Sequence, residues 1–200
     1  MSVEFDTACS KLRDGAVVAV PTDTVIGLAA LASDPSATKR LFDMKGRDST
    51  TAIAVLCADL EQAADIATWG EVGQLLAQRY WPGPLTLVGL RRAVSASWEL
   101  GGDPASIGVR VPSHEFVRAL AAELGPLATT SANRSGEPTV ETSQAAGTLF
   151  GDQLSYIVDG RSQTVASTVV DVRGDIATVL RAGAIAASEI DAFMHGHRLP

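Results

Sequence analysis

Gly15-Ala16-Val17-Val18-Ala19-Val20-Pro21-Thr22-Asp23-Thr24-Val25-Ile26-Gly27-Leu28 is the stretch that decides how this chain is read. Residues 15–20 form an apolar run too short for a helix. Pro21 halts it, because proline brings no N–H to a ladder. The run reads as a buried strand. A polar turn with a glycine follows, and ligands in α/β sheets bind at such strand ends. The same turn also reads as purely structural, with Asp23 and the threonines bonding their own backbone.

Outward from this point, short β-rich runs alternate with helical segments, the pattern of an α/β domain. Ser33-Asp34-Pro35 supplies an N-cap and an N1 proline. The helix they start should end near Lys45-Gly46, where glycine can turn left-handed. A strand is expected over 52–57, then helices over 59–68 and 71–80, the second stopped by Pro82-Gly83-Pro84. Further strands fall at 85–90 and 107–111. Ser113 should cap a helix toward Leu124, with Gly125 as its stop. A strand over 127–130, a helix near 142–149 and three late strands at 154–158, 168–172 and 178–180 complete the reading. Ser188 is the expected cap of a last helix. Several strands lie too close together for helical crossovers, so the sheet should be mixed and twisted, with helices flanking it.

The 200 residues read as a single domain spanning 1–200. Hydrophobic residues make up 46% and charged residues 20%, enough for a sizeable core. The mean hydropathy of +0.16 comes from Ala and Val, since no apolar run nears the roughly 18–20 residues of a membrane span. The first residues lack the apolar region of a signal peptide, so a cytoplasmic location without a membrane partner is expected. A net charge of -7 argues against a sequence-independent grip on nucleic acid, though not against a local basic cleft. Cys9 and Cys57 show no metal-like spacing and read as reduced thiols. His114 follows Pro112-Ser113 at a helix start, and His195 and His197 lie near the end of the chain. No protein ligand set for a metal is visible.

Four constellations carry chemistry. Lys45 and Arg47 in DMKGRDSTT either complement a helix dipole or clamp an oxyanion, with Ser49, Thr50 and Thr51 adding donors. The turn at 21–28 is the second. The third, Leu127-Ala128-Thr129-Thr130-Ser131-Ala132-Asn133-Arg134-Ser135-Gly136-Glu137-Pro138-Thr139, issues from a strand with many donors, which water or a ligand must satisfy. The fourth is a pair of arginines in apolar runs, Arg110 in SIGVRVP and Arg181 in VLRAG. A buried unpaired charge is costly, so each should face a carboxylate, an edge or a cleft. Ser167 adds a hydroxyl at a strand start. No P-loop, no Gly-x-Gly-x-x-Gly after the first strand and no Gly-x-Ser-x-Gly elbow occurs.

Taken together, PTDTVIGLAA, KGR followed by TTAIAVL, WPGPLTLV, SIGVRVP, TTSANRSGEPT, STVVDV and VLRAG resemble, in order, the YrdC/Sua5 family of L-threonylcarbamoyladenylate synthases. The similarity covers about residues 15–183 and looks like the short, single-domain form. It implies a YrdC-like fold with a concave cleft. It also implies a nucleotidyltransferase that makes threonylcarbamoyl-AMP and pyrophosphate from L-threonine, bicarbonate or CO2, and ATP with Mg2+, for the t6A modification of tRNA. By matched position, Lys45, Arg47, Thr51, Ser106, Ser131, Asn133, Thr139 and Arg181 would hold ATP, with Lys45 and Arg47 acting on the leaving pyrophosphate. Thr24, Arg110, Thr129 and Ser167 would hold threonine. Proteins that transfer threonylcarbamoyl to tRNA would consume the product, and weak tRNA contact is compatible with the cleft. The pattern departs from many relatives at Asp23, Ile26, Asp48 and Thr130. Two other readings stand beside this one. One is a double-stranded RNA or tRNA module without turnover, and the other is a carbamoyl-adenylate domain like that of hydrogenase-maturation proteins.

Overall fold

The protein is described by a computed structural model over residues 2–46 and 50–196. Its helices are α1 (Val3–Arg13), α2 (Pro35–Lys45), α3 (Leu60–Ile66), α4 (Glu71–Tyr80), α5 (Glu115–Leu124), α6 (Ser143–Phe150) and α7 (Ala187–Gly196). Its strands are β1 (Val18–Val20), β2 (Gly27–Leu31), β3 (Ala54–Leu56), β4 (Ala67–Thr68), β5 (Leu85–Arg91), β6 (Ser106–Arg110), β7 (Leu127–Ser131), β8 (Tyr156–Ile157), β9 (Thr168–Asp171) and β10 (Thr178–Arg181). They join in one mixed sheet of order β10-β9-β5-β6-β3-β7-β2-β1-β8, with β4 alongside β5. Parallel pairs (β3 with β6, β5 with β9, β1 with β8) are interspersed among antiparallel ones, as expected of closely spaced strands.

Local chemistry sets the helix limits. Asp34 caps α2 by accepting from the N–H groups of Ser36 and Ala37, Pro35 opens it, and Gly46 closes it at φ 57°. α4 matches its expected span, because Trp81-Pro82 cannot continue it. The helix expected from Ser113 begins one residue later, with His114 at the N-cap and no side-chain cap bond. Ser188 is inside α7, which starts at Ala187. The residues expected to finish the third helix, Ala67 and Thr68, instead add an edge strand to β5. Two elements had no counterpart in the sequence reading. α1 is capped by Ser2, and β2 pairs with both β1 and β7.

The two faces of the sheet are covered unequally. One face packs on α2, α3 and α6 through Leu41, Ile66 and Phe150, and on α4 and α7 through Leu76 and Ile190. The other face is covered at only one end, where Phe5, Leu12, Val117 and Leu120 of α1 and α5 close over Val18, Val20, Ala29, Leu56 and Leu127. Among the described residues, no helix joins that apolar cluster from above β5, β6, β9 and β10. Along β6, Ile107 and Val109 point into the core, so by the two-residue period Ser106, Gly108 and Arg110 point to the uncovered side. Cys9 and Cys57 are buried free thiols. No described helix is long and apolar enough to cross a membrane.

Candidate active site

The uncovered part of that face is a hollow of about 230 Å³. Its floor comes from six strands: Gly27 of β2, Ala54 and Leu56 of β3, Thr86 and Val88 of β5, Ser106, Gly108 and Arg110 of β6, Thr129 and Ser131 of β7, and Val169 of β9. Thr24, Ser167 and Arg181 complete the wall. A Cβ at Gly27 would lie 2.8 Å from Thr129 Cγ2, so glycine keeps two strands close at the rim.

Arg181 reaches the hollow through a bulge. Val179 pairs with Val170 and Arg181 with Val169, leaving Leu180 as an extra residue. In a regular ladder Leu180 would face the side that Val169 lines, and Arg181 would point away. The inserted residue reverses them. Arg181 Nη2 then donates to the carbonyl and hydroxyl of Ser167 at 2.9 and 3.2 Å. The Ser167 hydroxyl is 2.8 Å from that of Thr86.

Arg110 is only 5% exposed, yet its charge is compensated. Its Nη2 donates to Asp23 Oδ1 at 2.5 Å, Nη1 to Thr24 Oγ1 at 2.8 Å and Nε to the Gly83 carbonyl at 3.0 Å. Three of the five guanidinium N–H groups are thereby used, and one on each Nη remains. Burial raises the Asp23 carboxyl, but the charge and hydrogen bond of Arg110 outweigh it and hold its pKa below the usual value. Burial lowers the pKa of Arg110 and that of His114, with Asp23 opposing both shifts.

At the other end Lys45 is 2% exposed. Its ammonium lies 2.7 Å from the Ser131 carbonyl, 3.4 Å from Ser131 Oγ, 2.5 Å from the Asn133 carbonyl and 2.7 Å from Asn133 Oδ1. Ser131 also donates to Asn133 Oδ1 at 2.6 Å, so α2 and the turn after β7 meet in one polar knot.

The structure thus brings Thr24, Ser106, Arg110, Thr129, Ser131, Ser167 and Arg181 around one hollow, with Lys45 and Asn133 knotted to its rim. Thr51 is exposed in the segment before β3, and its neighbour Ala52 is the residue at the wall. Thr139 lies on the loop beyond Asn133, its buried hydroxyl without a hydrogen-bond partner among the described residues. Arg47 lies outside the described residues. The sequence reading passed over Thr86 and Arg91, and it placed Thr22 and Asp23 in the candidate turn without giving either a site role of its own. For Thr86 the signal was period two, a threonine between Leu85 and Leu87 on the face opposite the core. Arg91 lines the hollow while donating to the carbonyls of Ser106, Ser95 and Trp98, which ties down the loop above it.

A second depression, between α4, α7 and the turn before β10, is lined by Glu71, Asp175 and Asp191 with Ile176. Its acidic rim is unsuited to an anion.

Comparison with known proteins agrees with this geometry. The Sua5/YciO/YrdC family model, described as "Telomere recombination", matches residues 10–183. The threonylcarbamoyl-AMP synthase of Pyrococcus abyssi is 36% identical over 189 residues, 92% of this chain and 55% of that protein. A putative threonylcarbamoyl-AMP synthase of Mycobacterium tuberculosis is 33% identical over 92% of this chain and 86% of its own length. A crystal structure of P. abyssi Sua5 complexed with L-threonine superposes with a TM-score of 0.88 at 36% identity, covering 95% of this chain and 57% of that one. The chain therefore spans little more than half of the archaeal relative. With a family match over most of its length and a fold to agree, the chain belongs to the Sua5/YciO/YrdC family.

Proposed function

We propose that the chain is a threonylcarbamoyl-AMP synthase, joining L-threonine, bicarbonate or CO2, and ATP into threonylcarbamoyl-AMP with release of pyrophosphate. The observation that carries this reading is the hollow. An acidic protein gathers Arg110, Arg181 and five or more hydroxyl side chains on one uncovered sheet face. The names of its relatives and the L-threonine bound to one of them support the choice of substrates.

The two remaining N–H groups of Arg110 suit an amino-acid carboxylate, with Thr24, Thr129 and Ser167 around it. Ser106, Ser131, Asn133 and Arg181 suit the nucleotide, with Lys45 knotted to Asn133 at that end, and the family pattern assigns Arg47, Thr51 and Thr139 to the same substrate. Mg2+ is taken to arrive on the triphosphate as part of that substrate. The threonine amine adds to CO2 to give a carbamate, and a carbamate oxygen displaces pyrophosphate from the α-phosphorus. The protein acts by holding the reactants in line, an effect that can supply roughly 7–11 kcal/mol. The leaving charge is stabilised by Lys45 and Arg47. Transfer to tRNA is left to other proteins.

Pyrophosphate release from ATP and bicarbonate, measured with each amino acid in turn, tests the reading. Threonine should be favoured over serine by the about 1–3 kcal/mol of a fitted methyl contact. Release that is independent of the amino acid, or tRNA binding without release, would reject it.

A further inference from the structure

Three arginines and no carboxylate line the hollow, and hydrogen-bond accounting separates the cations around it. Arg110 is paired with Asp23 and keeps one N–H on each Nη. Lys45 at the rim has three N–H groups, and the Ser131 carbonyl, the Asn133 carbonyl and Asn133 Oδ1 take all three. Arg91 differs from both. Its Nε donates to the Ser106 carbonyl at 2.8 Å, and Nη1 to the carbonyls of Trp98 and Ser95 at 2.6 and 3.2 Å. Both N–H groups of Nη2 are left without a partner among the described residues. All of its partners are neutral. Asp103 is the acid whose charge reaches Arg91, and both of its oxygens are engaged elsewhere. Oδ1 accepts from the Ala105 N–H at 2.9 Å, and Oδ2 pairs with Arg173 at 2.8 Å. A half-buried guanidinium thus lines the hollow with no ion pair of its own, which favours an anion beside it.

We infer that Arg91 holds a phosphate of the nucleotide through the two N–H groups of Nη2, at a second anion position apart from that of Arg110. Ser106 sets the spacing. Its carbonyl anchors Arg91, and it stands four residues before Arg110 on β6, roughly 13 Å along the strand. Gly108 lies between them on the same face and puts no side chain in the way. The two positions are too far apart for one small anion. They fit the two ends of a joined pair, an amino-acid carboxylate at Arg110 and a phosphate at Arg91. This deepens the synthase reading proposed above and rests on it.

Calorimetric binding of inorganic tripolyphosphate, ATP, adenosine and L-threonine tests the inference on wild type, Arg91→Gln, Arg91→Lys and Asp103→Asn. Arg91→Gln should weaken tripolyphosphate and ATP about tenfold or more, as for a lost hydrogen bond to a charged group, and leave adenosine and threonine within about twofold. Arg91→Lys, which keeps the charge, should recover part of the loss. Asp103→Asn weakens the tie between the loop and Arg173, yet it removes the one acid opposing an anion at Arg91. It should therefore bind tripolyphosphate severalfold tighter, which preserves the test if Arg91→Gln fails to fold. A side chain that only braces the loop would weaken all four ligands together in Arg91→Gln, and tripolyphosphate would weaken in Asp103→Asn. Either result, or wild-type tripolyphosphate affinity in a folded Arg91→Gln, overturns the inference. Wild-type protein that binds tripolyphosphate but neither ATP nor threonine overturns the underlying synthase reading instead.

Discussion

Two stretches of one sheet face, a few residues apart on the same strand, have opposite chemistry. Leu127 of β7 sits in the apolar cluster with α1 and α5. Thr129 and Ser131, two and four residues on, line the hollow. The pleat continues unchanged, and what differs is the cover. Where helices close the face, alternating positions hold Val18, Val20, Ala29 and Leu127. Where they do not, the same alternation holds Thr86, Ser106, Arg110 and Thr129. Buried or half-buried polar groups add little net stability, so the open half is a place where the fold gives way to binding.

The comparison would break most visibly at Asp23. Asp23→Ala leaves the Arg110 guanidinium buried with one carboxylate fewer, and removing one partner of a buried pair costs about 3–5 kcal/mol. Denaturant unfolding should show that loss, together with lost threonine binding. A variant as stable as wild type would mean the open half carries no stability through this pair. On the covered half, Leu120→Ala should cost roughly 2–5 kcal/mol by opening a cavity under α5. Activity per folded molecule should be unchanged, and a fall in kcat at full folding would show that the halves are not independent.

Gly108→Val sharpens the contrast from the other side. A Cβ there meets Thr86 Cγ2 at 3.4 Å and Val88 Cγ2 at 4.0 Å, ordinary contacts for a strand residue. Stability should stay within about 1 kcal/mol, in the range of strand propensities. Ligand binding should weaken tenfold or more as the methyls enter the hollow, and unchanged binding would put the ligand elsewhere. The smallest effect is on pH dependence. The Asp23 carboxyl is held below its ordinary 3.8, so its contribution is present above that value and lost as pH falls through the folded pKa. The stability gap between wild type and Asp23→Asn should narrow below about pH 4. A gap constant down to pH 2 would remove the carboxylate from the account.

Much of this division was readable in the residues, and the gaps have physical causes. α2 and α4 are bounded by Asp34, Pro35, Gly46 and Pro82, whose backbone effects are local. β2 was not, because Gly-Leu-Ala-Ala-Leu lacks β-branched residues and alternation, and a strand buried on both faces needs neither. α1 has a short apolar stripe whose partner, α5, lies a hundred residues away. The arginines were flagged because charge in an apolar run is costly. Asp23, the partner that relieves Arg110, was read as a turn residue, because pairing across 87 positions leaves no local trace.

The irregularity at Leu180 has a second effect besides turning Arg181. β10 is the outermost strand, and Leu180 and the nearby Ile176 are exposed. A flat, apolar border of that kind would invite another polypeptide to extend the ladder, the first step toward fibrils. One extra residue spoils the repeat that such a template needs. The distortion that turns Arg181 into the hollow thus also makes this border a poor template for a second copy, and straightening it by deleting Leu180 should lower solubility.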